Sequence, residues 1–168
     1  METFDFNFQN RGGINQIYAI SWGAVRYLRQ NYRTKAWQLK LYNNIPLGSH
    51  VIQIPVIALG FAFNEQRIDD ESGIHYEQTI SGTIPKCSLE NKALLKCLEM
   101  GRWLVLSIDN NGYLRLSGDK DCLMHFTSNS SSGSNTVELN ATQFEFSAQT
   151  PEPAKYIERF LLSDITGE

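Results

Sequence analysis

One stretch of this chain leaves little freedom in how it folds. The runs Trp103 to Asp109 and Tyr113 to Gly118 flank Asn110-Asn111-Gly112, and apolar and polar residues alternate on either side of it through Leu106-Ser107-Ile108 and Leu114-Arg115-Leu116-Ser117, the pattern of a β-hairpin. A two-residue Asn111-Gly112 turn would set Ile108 opposite Arg115. A three-residue Asn110-Asn111-Gly112 loop sets Ile108 opposite Leu114 and Leu106 opposite Leu116, gathering the apolar residues on one face. Gly112 supplies the left-handed residue on which such a loop ends. The three-residue loop is therefore predicted, and with it an antiparallel sheet with a buried side.

The same pattern recurs along the chain. Residues 57–68 and 74–84 read as paired strands around an Asp69-Asp70-Glu71-Ser72-Gly73 turn, with Ile57, Leu59, Phe61 and Phe63 on one face of the first. Ile74, Tyr76, Ile80 and Ile84 share a face of the second, and Pro85 ends it for want of an N–H. Further strands are expected at 14–21, 37–42, 50–54, 123–127, 136–139 and 143–147. One helix is expected at about residues 88–100, with Ser88 as N-cap, Leu94, Leu95 and Leu98 on one side and Gly101 closing it. Residues 128–134 read as a polar loop. In 25–33, Val25, Leu28 and Tyr32 have helical spacing, yet Gly23 and the aromatic neighbours fit a loop or irregular strand equally well. The fold class expected is mainly β, an antiparallel sandwich or barrel with one short flanking α-helix. An N-terminal arm (1–13), a single β-rich domain (14–162) and a C-terminal tail (163–168) complete the expected layout.

A chain of 168 residues buries roughly 70% of its unfolded surface and needs no staple. Cys87, Cys97 and Cys122 lack a CxxC spacing and read as reduced thiols of a cytoplasmic protein. The first residues show no secretory signal, and the apolar run 54–63 is too short to cross a bilayer as a helix. The formal net charge of −3 argues against a general nucleic-acid binder. Charge is uneven, however: Arg11, Arg26, Arg29, Arg33, Lys35 and Lys40 face only Glu2 and Asp5 in the first 55 residues. Such polarity lets copies meet unlike-to-unlike.

Catalysis needs titratable groups gathered together, and little here gathers. His50, His75 and His125 fall in separate strands or strand ends, with no metal-ligand spacing. Asp69-Asp70-Glu71 and Asp119-Lys120-Asp121 lack the alternating oxygens of a calcium loop and read as turns. No enzyme, cofactor, metal, membrane or small-molecule role is expected. Two features invite a protein interface instead. Phe4, Phe6 and Phe8 alternate with polar residues near the start, a segment able to pair within its own domain or to add a strand to a neighbouring sheet. Arg26, Arg29 and Arg33 interleave with Tyr27 and Tyr32, a mixture that serves either nucleic acid, through phosphate contacts and stacking, or a protein interface, and the acidic chain favours the interface. A ligand-binding β-domain using Trp22, Trp37 or Trp103 as a stacking platform is the alternative.

Three pieces in order carry a family resemblance: Ile74-His75-Tyr76-Glu77 into Ile80-Ser81-Gly82-Thr83-Ile84-Pro85, Trp103 through Gly118, and Phe144-Glu145-Phe146. Together they resemble small β-rich tail or neck structural proteins of tailed phages and prophages of gut Bacteroidales. The arginine-rich segment 24–35 departs from that pattern. The resemblance implies a noncatalytic subunit made in the host cytoplasm and built into the virion. It further implies a homo-oligomeric ring, or docking to other phage structural proteins.

Overall fold

The computed structural model describes residues 12–42, 50–54, 60–85, 88–131 and 141–158. Along the chain come β1 (Ile14–Ile20), a single 3-10 turn (Trp22–Ala24), β2 (Val25–Gln30), β3 (Trp37–Leu41), β4 (Val51–Ile54), β5 (Ala62–Asp70) and β6 (Gly73–Pro85). There follow α1 (Leu89–Met100), β7 (Leu104–Asp109), β8 (Leu114–Ser117), β9 (His125–Ser131), β10 (Ala141–Thr150) and β11 (Lys155–Ile157). The chain is mainly β with one helix, as expected. A seven-stranded sheet has the order β2-β3-β11-β8-β7-β1-β4, and a four-stranded sheet the order β5-β6-β10-β9.

The β7–β8 hairpin takes the predicted register, Ile108 opposite Leu114 and Leu106 opposite Leu116. Gly112 sits at φ 84°. The Asp109 carboxylate accepts from the backbone N–H groups of Asn111 (2.8 Å) and Tyr113 (2.9 Å), which fixes the loop from inside.

The seven-stranded sheet curls into a half-barrel. Its inner face closes on Tyr18, Ile20, Leu41, Leu104, Leu106 and Leu116. Its other face packs Ile17, Ala19 and Val105 against Ile80, Phe126 and Phe146 of the second sheet and Leu95 and Leu98 of α1. Strands β1 and β7 are thus buried on both sides, which is why Leu104-Val105-Leu106 runs apolar without alternation. Phe126 and Phe146 meet edge-on with centroids 4.9 Å apart, and Phe61 lies 5.5 Å from Phe144.

Several expectations shift. Residues 25–30 form a strand, because pairing with β3 outweighs the helical spacing. The polar stretch from Ser128 to Ser131 is not loop but the end of β9, laddered to β10. Hydrogen bonding to a neighbour overrides composition there. Strand β10 runs three residues past 147, and β11 was not foreseen. Ile74 is 51% exposed rather than on a buried face, while Gln78 on that face is buried. Ser88 caps α1 as predicted, accepting from Asn91 N at 3.2 Å. Gly101 ends the helix in an extended conformation, φ −103°, and not a left-handed one. Its small size matters because a Cβ would lie 2.6 Å from the Trp103 ring. Residues 57 and 59, strand 136–139, the 1–13 arm and the 163–168 tail lie outside the described residues, apart from Gly12 and Gly13.

Candidate functional site

Strand β2 is at one edge of the seven-stranded sheet, and among the described residues it pairs only with β3. Its register slips between Val25, opposite Leu41, and Tyr27, opposite Lys40, so Arg26 is the extra residue of a bulge. Leu28 turns toward the core, leaving Arg26, Tyr27 and Arg29 exposed. The Arg29 guanidinium lies 4.7 Å over the Tyr27 ring, and its Nε donates to Gln38 Oε1 at 3.2 Å. Beyond the strand, Arg33 lies 5.5 Å over the Tyr32 ring and its Nε donates to the Tyr32 hydroxyl at 2.9 Å. Two of the three arginines proposed from sequence therefore lie over neighbouring tyrosine rings.

The turn after β2 is tied to the end of the described chain. Glu158 accepts from Thr34 Oγ1, from Gln38 Nε2 at 3.1 Å and from Asn31 Nδ2 at 3.1 Å. These bonds, that from Thr34 foremost, hold its carboxyl below the usual glutamate range. Beside it opens a recess of about 430 Å³ whose walls include Ala36, Tyr113, Leu114, Tyr156 and Ile157. Tyr113 and Tyr156 meet edge-on at 6.4 Å, and both are half exposed. Arg115 lies 4.3 Å over Phe63 and 5.5 Å over Tyr156. Behind this surface Lys155 is buried, its Nζ 3.2 Å from Asp119 Oδ2 and 5.0 Å over the Trp37 ring. That pair, buried at the lysine and partly exposed at the aspartate, ties β11 to the segment after β8.

The histidines remain apart, before β4, in β6 and in β9. His50 Nδ1 is 3.1 Å from Ser21 Oγ, a pair 29 residues apart that no spacing rule reveals. Among the described residues no carboxylate hydrogen-bonds the His50 ring. Nor does any group of three or more His, Cys, Asp or Glu gather for a metal among them. Trp103 is 3% exposed and donates from Nε1 to Leu98 O at 2.9 Å, so it is a core residue and no stacking platform. Trp22 and Trp37 pack partly buried against the inner core. Phe4, Phe6 and Phe8 lie outside the described residues. None of the described helices is long and apolar enough to cross a membrane. No protein-family model, no curated protein and no solved structure matches the chain.

Proposed function

We propose that this protein is a noncatalytic structural subunit that works by binding other protein chains, copies of itself first among them. The observation that carries this reading is β2, an edge strand among the described residues, which offers backbone donors and acceptors together with Arg26, Tyr27 and Arg29. An open edge is a template for another chain. Arginine and tyrosine are enriched where interfaces concentrate their binding energy. A ring would cover every such edge in turn. The resemblance to phage tail and neck subunits supports a place in a virion.

Light scattering of the full chain across concentration and salt tests the proposal. Discrete oligomers that grow with concentration and weaken as salt rises are expected. The same measurement on a chain lacking residues 1–10 asks whether Phe4, Phe6 and Phe8 contribute. A monomer under every condition contradicts self-assembly.

A further inference from the structure

The β5–β6 hairpin outruns the sheet that supports it. The last β10 partner of β6 is Tyr76, opposite Thr150. Beyond it Ile68, Asp69 and Asp70 pair only with His75, Ile74 and Gly73, a two-stranded ribbon. Ribbons of two strands are marginal in water unless something packs on them, and this one shows Ile74 half exposed. Its tip is acidic: Asp69, Asp70 and Glu71 are exposed, against Arg67, which sits 3.6 Å from Asp69. The Asp70 carboxylate accepts from Ser72 Oγ and from Ser72 N at 2.9 Å, which keeps it ionised below the usual aspartate range.

The opposite charge stands elsewhere. Residues 12–42 contain Arg26, Arg29, Arg33, Lys35 and Lys40 and no acidic residue. Among the described residues, the Glu158 carboxylate is taken up by Thr34, Gln38 and Asn31 of that segment, not by Arg26, Arg29 or Arg33.

The two surfaces lie at different levels along the strand direction, although β2 runs in the same sense as β8. Arg115 of β8 lies over Phe63 of β5. Gly118, just past β8, donates at 2.8 Å to Gln78, the strand partner of Glu65. Strand β5 therefore advances in the same sense as β8, and from Glu65 to Asp70 it carries the acidic tip about 17 Å past the Gly118 end. The turn after β2 lies at the other end, where Ala36 shares a recess with Tyr113 and Leu114.

We infer that the acidic β5–β6 hairpin of one copy docks on the basic β2 edge and its turn in the next copy, head to tail. This rests on the assembly reading above and names the two surfaces that meet. A contact between unlike surfaces closes as a ring or extends as a filament.

Charge reversal in the full chain tests it by sedimentation velocity at low salt. One variant carries Asp69→Lys with Glu71→Lys, and Asp70 is kept because it holds the turn. The other carries Arg26→Glu, Arg29→Glu and Arg33→Glu. Each alone is expected to weaken self-association by at least about tenfold, and an equimolar mixture to restore it, because each variant supplies the charge that the other lost. Circular dichroism checks folding; should a reversal unfold, the milder Asp69→Asn with Glu71→Gln shows a smaller loss in the same direction. Wild type that associates while the variants associate equally well overturns this contact and leaves self-assembly standing. Loss in both variants without rescue on mixing overturns it too. A monomeric wild type overturns both.

Discussion

Gln78 holds the two sheets together through an amide that sits where the alternation of β6 calls for an apolar side chain. Its Oε1 accepts from Gly118 N at 2.8 Å, and its Nε2 donates to Glu65 Oε2 at 3.1 Å. Glu65 Oε2 in turn accepts from Ala154 N at 2.6 Å. Gln78→Leu would strand the buried Gly118 N–H, and a loss of about 1–3 kcal/mol is expected in urea unfolding. A neighbouring rung shows the opposite constraint. A Cβ at Gly82 would lie 2.5 Å from Phe61 Cδ1 and 3.0 Å from Phe144 Cζ. Gly82→Ala should therefore cost about 1–3 kcal/mol by overpacking, read from the same unfolding curves. Sequence showed neither role. Periodicity identifies an inward position, but the partners that make an amide acceptable there come from β5 and from the segments flanking β8 and β11.

Elements built from local chemistry were legible, and those built by distant pairing were not. The β7–β8 register followed from the loop and its apolar neighbours alone, and the Ser88 cap from its position before the Leu94, Leu95 and Leu98 stripe. Strand β2 was ambiguous because its conformation depends on β3, and the serines of β9 looked like loop because their ladder partner, β10, follows later in the chain. The proposed binding surface divided in the same way. Arg26, Arg29 and Arg33 could be named in advance, whereas Tyr113, Tyr156 and Glu158 join them only because β11 lies between β3 and β8. Glu158 gives this arrangement a pH signature. Its carboxyl is depressed in the folded protein, so the stability it adds is present above the ordinary glutamate range and is lost as pH falls through its lowered folded value. The stability difference between wild type and Glu158→Gln, measured by thermal melts, should be largest near neutrality and vanish in acid.

For the whole molecule, the proposed assembly rests on edges and charge. Strands β2 and β4 end the larger sheet and β5 and β9 the smaller. β4 keeps only Gln53 outward, whereas β2 exposes arginine and tyrosine. Reversing the overall sign of one surface should change association without changing stability, since neither Arg26 nor Glu71 is buried. The central claim is that β2 is covered when the protein assembles. Amide hydrogen exchange of the full chain at rising protein concentration tests it most directly. The account predicts that exchange in residues 25–33 slows as concentration rises, while β4 and the core strand β7 are unaffected. Exchange at β2 that is independent of concentration, under conditions where the chain demonstrably associates, would contradict it.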